Sequence, residues 1–135
     1  MACRVKVRVR VGGLVVEEAA LLNSGFESDE PDIVVPVEVA KLLGLWPPRS
    51  ASTAILETGG GETANPYYRA CAELELVLED RESRKLRVNV IVNPHVDEVV
   101  VSDYVAGELG IVLLDFKRGL WRLHDDPPLK VRKSL

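Results

Sequence analysis

The tripeptide Asn23-Ser24-Gly25, at the end of the apolar stretch Ala19–Leu22, is where this sequence comes closest to a reactive centre. Four acids follow it: Glu27, Asp29, Glu30 and Asp32. A carboxylate placed beside a second acid can serve as general base or general acid. Asparagine cannot, because its amide hydrogen-bonds but carries no proton that titrates in the working range. The other reactive side chains are scattered. Cys3, Cys71, His95 and His124 lack metal-ligand spacing. Gly59-Gly60-Gly61 lacks the strand-to-helix setting of a phosphate loop. The sequence therefore implies no metal and no cofactor. Cys3 and Cys71 fit either a disulfide or two buried thiols.

The elements that must hold these residues follow from hydrophobic period. Cys3, Val5, Val7, Val9 and Val11 alternate with Arg4, Lys6, Arg8 and Arg10, the pattern of a half-buried strand. Gly12-Gly13 predicts a turn, and residues 14–22 the return strand. Ile33-Val34-Val35 is short and β-branched, hence a strand. Pro36 opens a helix over 37–43, with Val39, Ala40 and Leu43 on one face and Gly44 ending it. Residues 52–57 and 62–69 flank Thr58-Gly59-Gly60-Gly61 as a second hairpin. Residues 72–78 and 86–92 alternate as two more strands, and 99–101 is another. Ser102 caps a helix over 103–109, in which Asp103 suits the first-turn dipole. A last hairpin surrounds Lys117-Arg118-Gly119, and 125–135 is read as an extended, solvated tail.

Two stretches superpose. Val39-Ala40-Lys41-Leu42-Leu43-Gly44-Leu45 matches Val105-Ala106-Gly107-Glu108-Leu109-Gly110-Ile111 at an offset of 66. The same offset carries Val34-Val35 onto Val100-Val101, and Pro36 onto Ser102. Asn23 and Asn93, which end the two preceding hairpins, are offset by 70, so the first copy's loop is four residues longer. The unit of hairpin, break, short strand and helix thus occurs twice, over about 3–45 and 71–111, with the hairpin of 52–69 between them.

The 135 residues suffice for one domain with its own core. Hydrophobic residues make up 47% and charged residues 28%, which excludes a disordered chain. The net charge of −4 argues against nucleic acid as a partner. No apolar run approaches a membrane span, and the N-terminus lacks a signal-like apolar segment, so the expectation is cytoplasmic with no membrane partner. The absence of Gln and the excess of Arg over Lys lean toward a thermophile.

The string Ala19-Ala20-Leu21-Leu22-Asn23-Ser24-Gly25-Phe26-Glu27, with Val34-Val35-Pro36 and Val39–Leu45, resembles the retropepsin-like aspartic peptidases, in particular their small single-domain archaeal and bacterial members. That family carries an Asp-Thr/Ser-Gly triplet, a short strand and a helix ending in Leu-Gly-Leu. Its second half is similar to Val99–Val105, with Val101 where the family has Gly. The resemblance implies a mostly-β, closed or partly open acid-protease-like barrel over residues 1–124, with an internal pseudo-twofold repeat and two short helices. It also implies a homodimer whose cleft lies between subunits. Asn23 from each subunit would floor that cleft, positioned by Ser24 and Gly25. Phe26, Glu27 and the flap-like tip Gly59, Gly60 and Gly61 would contact a bound chain.

In such peptidases two Asp share a proton across the twofold axis, one activating water and the other protonating the scissile carbonyl. Asn23 stands in the position of that Asp. The reading is therefore a catalytically silent homodimer that binds an extended peptide or a partner protein. One alternative is an acid endopeptidase activated by deamidation of Asn23 or by a nearby acid. Another is a structural or assembly domain.

Overall fold

A computed structural model describes residues 2–22, 25–58 and 61–135. The element order is β1 (Cys3–Val11), β2 (Leu14–Leu22), β3 (Asp32–Val35), α1 (Val37–Leu42), β4 (Ser52–Thr58), β5 (Gly61–Leu76), β6 (Leu86–Val92), β7 (Val99–Val101), α2 (Asp103–Glu108), β8 (Ile111–Asp115), β9 (Leu120–Leu123) and β10 (Arg132–Lys133). Six strands close in the order β1-β2-β7-β3-β6-β5 and back to β1, a barrel with β4 hanging from β5 outside the ring. A separate three-stranded sheet, β10-β9-β8, lies beside it.

The alternation of β1 builds the barrel directly. Cys3, Val5, Val7 and Val9 are buried in the core, while Arg4, Lys6, Arg8 and Arg10 face outward. The other ring strands contribute Ala20, Leu22, Ile33, Val35, Leu74, Val88, Val90, Val92, Val99 and Val101. Closure removes the free edges that an open sheet would present. Outside the barrel, the Arg8 guanidinium bridges Glu17 of β2 and Glu75 of β5, each at 2.7 Å, tying the three strands where the ring closes.

The twofold relation is written into the ladders. Ala20 pairs with Val99 in the parallel β2–β7 ladder. Moving Ala20 by 70 and Val99 by 66 gives Val90 and Ile33, which pair in the parallel β3–β6 ladder. Leu22–Val101 maps onto Val92–Val35 in the same way. Val34 pairs with Val100, its own mate at 66. Across the barrel, Val9 pairs with Leu74. The pseudo-axis therefore passes through these two pairings.

The helices repeat as well. Pro36 and Ser102 precede them with nearly identical backbone, φ −71° and ψ 163° against φ −69° and ψ 163°. Gly44 and Gly110 follow at φ 73° and 81°, a left-handed conformation that costs glycine little. At Gly110 a Cβ would also lie 2.5 Å from the exposed His124 ring, which would have to turn aside. Each helix has six residues, too few to be stable alone, so each persists by burying Val39 and Ala40, or Val105, against the barrel.

One sequence expectation needs correction. Residues 62–69 and 72–78 are not separate strands. β5 runs continuously for 16 residues, and its register against β6 shifts between Tyr68 and Ala72. At that bulge Ala70 takes φ 49° and its N–H donates to Asn89 Oδ1 at 2.7 Å, which satisfies the group that leaves the ladder. The segment 125–135 is largely exposed, but it is also pinned to the fold. Arg132 makes paired bonds to Asp80 at 2.8 and 2.9 Å and to Asp126 at 2.9 Å, and stacks over the Trp121 ring. The Leu135 N–H donates to the Arg4 carbonyl, so this strap joins the small sheet to the barrel. Cys3 and Cys71 are free thiols, and burial pushes both above the usual thiol range.

Candidate functional site

The longer of the two equivalent loops and the β4–β5 hairpin enclose a cleft of about 350 Å³. One wall is the chain after Gly25, with Phe26, Glu27, Ser28, Glu30 and Asp32. The other is β4 and the adjoining part of β5, with Thr53, Ala54, Ile55, Leu56, Tyr67 and Arg69. Ile91 of β6 also lines it.

Hydrogen bonds fix the loop wall to the barrel. The Asp103 N–H donates to the Phe26 carbonyl at 3.0 Å, and Asp103 Oδ1 accepts from the N–H groups of Ser28 and Tyr104 at 3.0 and 2.8 Å. Asp103 is thus an anchor for the first half's loop as well as a first-turn acid. Beneath it, Asp32 is 9% exposed and fully engaged. Its Oδ2 accepts from Ser28 Oγ at 2.6 Å, and its Oδ1 from Asn89 Nδ2 at 2.8 Å and Tyr67 Oη at 3.4 Å. A carboxylate buried to this degree is tolerable only with such donors. With three of them Asp32 holds two strands and a loop together.

A second tie lies at the rim. Arg69 Nη1 donates to Glu30 Oε1 at 2.7 Å, and the guanidinium sits 5.8 Å above the Tyr67 ring. Burial first, then the charges of Asp32 and Glu30, raise the Tyr67 phenol above its ordinary pKa, so it stays a hydrogen-bond donor. Loop and hairpin are therefore joined through Tyr67–Asp32 and Arg69–Glu30, both from β5.

Among the described residues β4 pairs with β5 alone. Its other edge offers backbone N–H and C=O groups beside the cleft residues Thr53–Leu56. Ile55 is 58% exposed there.

Of the residues singled out in the sequence, Asn23, Ser24, Gly59 and Gly60 lie outside the described residues. Phe26 and Glu27 line the cleft. Gly25 stands at the start of its loop, and Gly61 opens β5 opposite Thr58 at φ 114° without lining the cleft. Of the acids after Asn23, Asp29 is exposed and does not line the cleft, whereas Glu30 and Asp32 are bound as described. The second half's Asn93, the counterpart of Asn23, is 3% exposed; its N–H donates to the Val35 carbonyl and its Oδ1 accepts from the His95 N–H at 2.8 Å.

Sequence reasoning missed Tyr67, Arg69 and Asn89. Asn89 carried a signal, as a polar residue inside the apolar run Val88–Val92. Tyr67 and Arg69 carried none, because their role depends on a ladder between segments far apart in sequence.

Among the described residues no group of three or more His, Cys, Asp and Glu could hold a metal ion. Among those residues no helix is long and apolar enough to cross a membrane. Compared with known proteins, the chain matches no family model and no curated protein.

Proposed function

We propose that this chain is a retropepsin-like protein that works as a homodimer and binds an extended peptide, or an extended segment of a partner protein, without cutting it. The observation that carries the reading is the free β4 edge beside a cleft whose two walls are tied together. An extended chain laid there would add a strand to β4 and place alternate side chains in the cleft. The duplicated barrel, with its hairpin between the halves, has the element order that the sequence resemblance implies. Silence follows from chemistry. Asn23 occupies the position of the family's Asp and cannot take a proton from water. A symmetric dimer would lose both acids together.

The test is Asn23→Asp, assayed with the wild type on a peptide library from acid to neutral pH, with sedimentation to establish the dimer. Wild type is expected to bind extended peptides and leave them intact, and the variant to cleave them. A dimeric variant that neither binds nor cleaves would overturn the reading. Cleavage by heat-aged wild type, with peptide mapping showing Asp at position 23, would instead favour an acid endopeptidase switched on by deamidation.

A further inference from the structure

The strand β4, Ser52–Thr58, contains neither Lys nor Pro, the residues that commonly guard an open edge. By register Ala54 and Leu56 lie on the Tyr67 side of the hairpin, and Thr53 and Ile55 on the Tyr68 side. A strand added to β4 would therefore present alternate side chains to two surfaces. One is the cleft, with Phe26 and Glu27 in its loop wall. The other carries the exposed Ile55.

The charge of the cleft is one-sided. Glu27, Glu30 and Asp32 line it against one cation, Arg69. Asp32 is engaged by its three donors, and Arg69 by Glu30. Glu27 is exposed, and no cation among the described residues pairs with it. Arg49 also has no acid partner among them, but it sits by the Tyr68 hydroxyl on the other face, outside the lining. An acidic occupant would be repelled here. A second copy pairing its own β4 with this one would set the same three acids beside these.

We propose that the cleft selects an extended segment with apolar side chains toward Ile55 and a basic side chain, Arg or Lys, toward the cleft. The basic head pairs with Glu27, and its methylene stem lies against the half-buried Phe26 and Leu56. The proposal rests on the peptide reading above and names the class of peptide.

The experiment measures binding of three blocked nonapeptides to the full chain at low salt. Each alternates threonine and valine, with arginine, citrulline or glutamate at the centre. The arginine peptide is expected to bind about fivefold tighter than the citrulline peptide and about tenfold tighter than the glutamate peptide. That preference should fade in about 0.5 M salt. Glu27→Gln, at an exposed position, should abolish the arginine–citrulline difference, and Glu27→Lys should make the glutamate peptide the tightest. Equal binding of all three peptides, or an arginine preference unchanged in both variants, would overturn the proposal and leave the peptide reading standing. No binding of any of them would overturn the peptide reading and this proposal with it. Peptide binding that is lost as chains associate would assign the edge to a second copy, and would overturn it too.

Discussion

The two halves of the barrel run the same ladders yet end their equivalent hairpins differently. After β6 the chain makes a short turn: Asn93 is buried, its Oδ1 accepts from the His95 N–H within the turn, its N–H donates to the Val35 carbonyl of β3, and Pro94 follows. After β2 the chain is longer and acidic, and it reaches across to α2 and to β5 through Asp103, Asp32 and Glu30. One copy is a short turn, bonded within itself through Asn93 and to β3 and β1 through Val35 and Arg4. The other satisfies its groups against distant elements and so becomes the wall of a cleft. The barrel carries one geometry twice, and four extra residues let one copy form the wall of a cleft.

The largest expected effect tests whether the halves share one core. Ile33→Ala should cost about 2–5 kcal/mol in urea unfolding, because the side chain is wholly buried in the ring. Its twofold mate Val99, one methylene smaller, should cost less on truncation. A loss below about 1 kcal/mol at Ile33 would break the picture of a closed, densely packed barrel.

Next comes the difference between the loops. Asp32→Ala strands donors on Ser28, Asn89 and Tyr67 and is expected to cost about 3 kcal/mol, whereas Asn93→Ala should cost about 1 kcal/mol. Equal losses, measured in the same denaturant series, would mean that the long loop is no more dependent on distant elements than the short one. A smaller effect separates the helix starts. Ser102 Oγ accepts from the Val105 N–H at 3.3 Å, so Ser102→Ala should cost about 1 kcal/mol and Ser102→Gly a few tenths. Pro36, in the same backbone conformation, has no side-chain bond to lose.

The mildest effect contrasts the strap with the cleft under acid. Hydrogen bonds from Arg132 are the chief cause holding the Asp80 carboxyl down from 3.8 to about 2, and they hold Asp126 well below the usual range too. A carboxylate depressed on folding contributes stability that is full above its ordinary pKa and is lost as pH falls through its folded value. The Asp80 share should therefore fade between about pH 4 and pH 2. Melting curves across that window should show a shallower acid decline in Arg132→Met than in wild type. An unchanged slope would remove the strap from the acid response.

Much of the barrel was legible because period two and offset repeats are local properties. The alternation of residues 3–11, the span 14–22 and the paired helices at an offset of 66 could be read from spacing alone. The long β5 was not, because a bulge that lets one strand serve both hairpin and barrel is decided by its partner, Asn89, rather than by its own residues. The candidate site was legible at Phe26 and Glu27, which follow the triplet directly. Tyr67 and Arg69 were not, since each acts on the loop only through the β5–β6 ladder.

By itself the sequence determined the strand alternation, the duplicated unit and the amide at position 23, because side-chain period and proton chemistry belong to the residues wherever they sit. Tertiary structure decided that Asp32 is a buried anchor among the acids of its loop, that the tail is a strap clamped by Arg132, and that β4 pairs with β5 alone among the described residues. Each of these depends on what lies within a few ångströms across the fold. Burial and hydrogen-bond partners are set there by chain closure over dozens of residues.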